Sequence, residues 1–111
     1  MPVVKIDYDS GKFSKDFISE LANELVGVVA IASGLPEEEV SIFANENQIT
    51  VIAAPMEIYV NAGSGAMPNQ DKEAMLGEIS EAVKNFKKEK GIDIHVNISI
   101  VEMAWKVGVG V

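Results

Sequence analysis

The sequence predicts an α/β fold, an α+β two-layer sandwich in which a duplicated β-α-β unit makes a mixed four-stranded sheet with two helices on one face. Three observations carry this expectation. The apolar pattern passes from alternation to helical spacing and back, and does so twice. Gly34 and Gly91 each follow the end of a helical pattern, where a left-handed C-cap is wanted. Corresponding landmarks of the two halves stand roughly 53 to 57 residues apart, the mark of one duplicated supersecondary unit.

The first strand is Val3–Tyr8, alternating and rich in β-branched residues, closed by the turn Asp9-Ser10-Gly11. Ser14 is placed to cap a helix over Lys15–Ser33, in which Phe17, Ile18, Leu21, Leu25 and Val28 recur on one face. Residues 40–44 and 49–53 then read as two short strands, or one bulged strand, around the polar turn Asn45-Glu46-Asn47. Pro55 breaks the chain. The second half repeats the order: a strand at Met56–Asn61, a Gly63-Ser64-Gly65 loop, and a helix capped by Asn69 with Met75, Ile79, Ala82, Val83 and Phe86 buried. Gly91 ends that helix, and residues 92–103 alternate as a long last strand. The whole chain, 1–111, reads as one domain with pseudo-repeats about 2–53 and 55–106.

Composition bounds the function. A chain of 111 residues that is 48% apolar can close one core. It has no cysteine, which removes disulfides, thiolate metal sites and cysteine nucleophiles and fits a reducing compartment, so a cytoplasmic location is expected. No basic, apolar leader opens the chain and no apolar run approaches spanning length, so no membrane partner is expected. A net charge of −8, with every basic residue a lysine, argues against nucleic acid. Residues 25–32 are apolar all round and the tail 107–111 is apolar too, which points to a homo-oligomer.

Among the candidate residues, Pro2 is singled out by chemistry. Removal of Met1 leaves a secondary amine at the start of the first strand, and burial of such an amine disfavours its charged form and brings it toward neutrality. His95 is the sole histidine and shares a strand face with Asp93, Asn97 and Ser99. His95 and Ser99 are separated by about 13 Å along an extended strand, too far for a hydrolytic dyad. One histidine without ordered carboxylates makes no metal site. The glycine loop at 61–65 offers backbone N–H groups to an anion, or serves as a permissive connection. Lys84, Lys87, Lys88 and Lys90 complement the second helix's dipole as solvated surface, and Glu37–Glu39 reads as a polar loop.

Proline directly after the initiator methionine, an alternating first strand, two β-α-β halves in this length, and Ala62-Gly63 after the third strand together resemble the tautomerase superfamily. The similarity is to its macrophage migration inhibitory factor-like and 4-oxalocrotonate tautomerase-like members. The resemblance implies Pro2 as general base, the Ala62 N–H as a holder of developing negative charge, and His95 and Asn97 as contributions from a neighbouring subunit. Tyr59 or Trp105 would enclose the pocket. It implies a homotrimer, no cofactor, and a small keto or enol acid as substrate. Lys106 and Lys5 are the candidates for the arginines that members acting on dicarboxylates use, although alternation puts Lys5 on the side of the strand away from Pro2. The same layout also serves a non-catalytic oligomeric ligand-binding or interaction module, in which Pro2 has no role.

Overall fold

The computed structural model describes residues 2–51, 53–61, 69–101 and 109–110. Four strands, β1 (Val3–Tyr8), β2 (Ser41–Glu46), β3 (Met56–Asn61) and β4 (Val96–Val101), and two helices, α1 (Lys15–Ser33) and α2 (Asn69–Lys90), follow the expected chain order. The sheet order is β2-β1-β3-β4, with the parallel pairs β1/β2 and β3/β4 joined through the antiparallel pair β1/β3. Each parallel pair is connected through a helix, as a crossover requires.

The alternation seen in the sequence becomes the two faces of this sheet. Val4, Ile6 and Tyr8 of β1 and Met56, Ile58 and Val60 of β3 are buried beneath the helices. They meet Phe17, Ile18, Leu21, Leu25 and Val29 of α1 and Met75, Ile79, Val83 and Phe86 of α2 in one core. Val29, one turn beyond Leu25, takes the fully buried place that the spacing assigned to Val28, which packs at the core margin. Phe17 stacks on Phe13 and tilts against Phe86, with centroids 5.4 and 5.2 Å apart, tying the two helices together.

The helix ends obey the local signals. The Ser14 hydroxyl accepts the Phe17 N–H at 3.1 Å, and Gly34 closes α1 at φ 71°, a conformation a side chain resists. Gly91 follows α2 at φ 68°. The second helix includes Asn69 rather than starting after it as a cap. Among the described residues, no helix is long and apolar enough to cross a membrane.

Four further expectations are corrected. The second strand runs to Glu46, so the polar residues assigned to a turn extend the ladder opposite Asp7 and Tyr8. The described part of 49–53 is not strand: β1 ends at Tyr8, whose carbonyl accepts the Asn47 N–H at 2.8 Å, and no edge remains for the next residues. Residues 92–95 precede β4, because its partner β3 begins only at Met56, opposite Val96, just after Pro55. Glu37–Glu39, read as a loop, forms a short 3₁₀ turn.

Candidate functional site

Pro2 stands one residue before β1 and is fully buried. Its carbonyl accepts the Ser41 N–H at 3.1 Å, so the start of the chain is held against the start of β2. A proline costs nothing here, because the position contributes an acceptor to the ladder and needs no donor. Val3 is opposite Ser41 on one side and Asn61 on the other. The entry to β1, the entry to β2 and the exit from β3 therefore meet at one end of the sheet.

The structure does not bring all the sequence-derived candidates to this end. Ala62, Trp105 and Lys106 lie outside the described residues. Tyr59 is in register with Lys5 on β1 and Ser99 on β4, on the sheet face away from the helices, whereas the even positions of β1 that continue Pro2's side enter the core. Within one chain Tyr59 therefore does not enclose Pro2. Asn97 is exposed and opposite Glu57, about 17 Å along the sheet from the level of Pro2 at ~3.3 Å per residue. His95 is also exposed and precedes β4 instead of lying within it, farther still. Neither can reach Pro2 of its own chain.

The helix-free face gathers Lys5, Tyr59, Asn97 and Ser99, which the sequence named separately, into one cluster with Asp7 and Glu57. Lys5, Asp7, Glu57, Tyr59, Asn97 and Ser99 occupy two adjacent rows across β1, β3 and β4. The Tyr59 hydroxyl donates to Glu57 Oε2 at 2.6 Å, and Lys5 Nζ lies 3.7 Å from Asp7. Tyr59 is held above the usual phenol range, first by that hydrogen bond to Glu57, then by desolvation and by the negative charges of Glu57 and Asp7. The odd-position alternation of β1 and β3 contained this cluster, but only the strand register makes Asp7 face Glu57 and Lys5 face Tyr59. Among the described residues no group of three His, Asp or Glu is gathered in a way that could hold a metal ion. The large exposed apolar side chains include Ile31, Ile49 and Val51, 82, 88 and 76% exposed, and Phe43 of β2, 59% exposed and in register with Lys5 on β1.

No family model and no curated protein matches the sequence. Solved structures do share its architecture. A 5-carboxymethyl-2-hydroxymuconate delta-isomerase superposes with a TM-score of 0.74 at 12% identity, over 99% of this chain and 89% of that one. A native fused 4-OT gives 0.71 at 15% identity over 96% and 92% of the two chains. A malonate semialdehyde decarboxylase, described with decarboxylase and hydratase activities, gives 0.66 at 16% identity over 97% and 92%. A fused 4-OT solved as a symmetric trimer gives 0.67 at 17% identity over 91% and 85%. The tautomerase-like fold implied by the sequence is thus the fold of this chain.

Proposed function

We propose that this chain, built on the tautomerase fold, is a cofactor-independent tautomerase or isomerase of a small keto or enol acid, with Pro2 as its base. The observation that carries the proposal is the buried placement of Pro2 where β1, β2 and the exit of β3 converge. With Met1 removed, the uncharged amine takes a proton from the carbon α to a carbonyl, the C–H electron pair moves into an enolate, and the same ammonium returns the proton at another carbon. Ala62 offers its N–H to the oxygen on which charge develops, Trp105 walls the pocket, and Lys106 binds the substrate carboxylate. His95 and Asn97 enter from a neighbouring subunit of a homotrimer, since the length of the sheet separates them from Pro2 of their own chain. The isomerase and trimeric 4-OT structures that share the fold support this reading. Tyr59 is left out of the pocket and serves the helix-free face.

The test begins with intact mass, because a retained Met1 ends the mechanism. With Met1 absent, interconversion of a small aromatic enol acid is followed by ultraviolet absorbance for the native chain and Pro2→Ala. The variant is expected to lose at least about a hundredfold in rate, the usual reach of general base catalysis. Equal rates would favour the non-catalytic oligomeric module.

A further inference from the structure

Lys84, Lys87 and Lys88 stand at i, i+3 and i+4 on one face of α2, where like charges repel. The helix dipole favours lysines there but does not neutralise them. Lys5, Lys15 and Lys90 are paired with Asp7, Glu46 and Glu20, whereas these three are in no ion pair among the described residues. They rim a hollow of about 420 Å³ that Ile92 and Asp93 close, and Asp93 offsets only one of the three charges. A second hollow, of about 230 Å³, shares Lys84 and Lys87 and continues over the half-buried Val96 and Ile98. The groove is thus basic at the end of α2 and apolar along β4. Asp93 is two residues from His95, at most about 7 Å along the chain.

Glu37–Glu39, the 3₁₀ turn ahead of β2, carry the opposite charge. All three are exposed and in no ion pair among the described residues. The Glu37 carboxylate lies against Gly27, where α1 has no side chain, so the turn is folded back on the helix. Ile31, one helical turn on from Gly27, and Leu35 are exposed apolar neighbours of this turn. Glu39 is two residues from Ser41, whose N–H the Pro2 carbonyl accepts, so at most about 7 Å separates it from that contact. Within one chain the two clusters belong to opposite edges of the sheet, since β2 and β4 stand three strand spacings, about 14 Å, apart. Complementary patches on opposite edges of one molecule make a head-to-tail contact, the kind that closes copies into a ring.

We propose that the lysine groove of one subunit receives the Glu37–Glu39 turn of the next, and that three such contacts close the homotrimer. The inference rests on the proposed trimer, in which His95 and Asn97 of one subunit enter the Pro2 site of another. The same approach sets the start of β4 beside the entry to β2, which carries the lysines of α2 to the glutamates of the neighbour. Carboxylates meet Lys84, Lys87 and Lys88, and Ile31 and Leu35 supply apolar area for the stretch over Val96 and Ile98. Each subunit carries a net charge of −8, so copies repel one another in most orientations. A contact of matched charge selects this docking register among them.

The experiment follows assembly of the full chain by analytical ultracentrifugation over a range of concentrations, with circular dichroism to verify the fold of each variant. Reversing the acidic side, Glu37→Lys, Glu38→Lys and Glu39→Lys, should raise the concentration at which the trimer half-dissociates by at least about tenfold, because three pairs are lost and repulsion replaces them. Reversing the basic side, Lys84→Glu, Lys87→Glu and Lys88→Glu, should do the same. Combining the two reversals should restore assembly to within about threefold of the native chain. The basic reversal also opposes the dipole of α2, so Lys84→Gln, Lys87→Gln and Lys88→Gln, which keeps strong helix formers, is measured beside it and should weaken assembly too. Trimers indifferent to either reversal, or weakening that the combined variant does not recover, would overturn the proposal and leave the trimer standing. A native chain that stays monomeric would overturn both. Since none of these measurements depends on turnover, an inactive chain that shows the charge-swap recovery would refute Pro2 as a base and uphold this contact.

Discussion

Replacing Tyr59 by phenylalanine removes one hydroxyl and leaves the ring in place, so it isolates the 2.6 Å hydrogen bond to Glu57 on the helix-free face. A hydrogen bond to a charged acceptor contributes about 1.5 to 3 kcal/mol when sheltered. Tyr59 is only half-buried, and solvent reduces the expected loss to about 1 kcal/mol. The pH dependence follows from the same contact. Because the folded state holds Tyr59 above its ordinary value of 10.0, the contribution is fully present below that pH and is lost as pH rises through the folded value. Urea unfolding of the native chain and Tyr59→Phe should therefore differ at neutral pH and converge at strongly alkaline pH. Equal stability at neutral pH, or a difference that persists after the phenol has ionised, would refute the reasoning.

Two further substitutions probe the frame that holds Pro2. Ser14→Ala removes the acceptor of the Phe17 N–H and should cost about 1 kcal/mol, read as a lower urea midpoint with an unchanged slope. Leu21→Ala empties a site that is 1% exposed between helix and sheet, and a loss of about 3 kcal/mol is expected in thermal or urea unfolding; a loss under 1 kcal/mol would mean that α1 does not pack as described.

The helices were legible because their information is local. The Ser14 cap, the apolar spacing through Phe17, Leu21 and Leu25, and Gly34 set α1 without reference to anything distant. Strand limits were less so. Residues 49–53 and 92–95 carry the alternation of a strand, yet a strand also needs a partner, and the partner edges end at Tyr8 and begin at Met56. Of the candidate site, the place of Pro2 just before the first strand could be read from the chain and its burial only from the fold. The positions of Tyr59, His95 and Asn97 relative to it depended on register and face, which no single segment encodes.

The sequence by itself determined the order of elements, the two β-α-β halves and which side of each central strand enters the core, because alternation, helical spacing and capping act over a few residues. The tertiary structure alone decided that β1 and β3 are neighbours in antiparallel register. That pairing joins the halves into one sheet and sets Lys5 opposite Tyr59 and Asp7 opposite Glu57 on the far face from the core. Its physical basis is non-local: hydrogen bonds and buried side chains far apart in the chain must be satisfied together, and this register satisfies both.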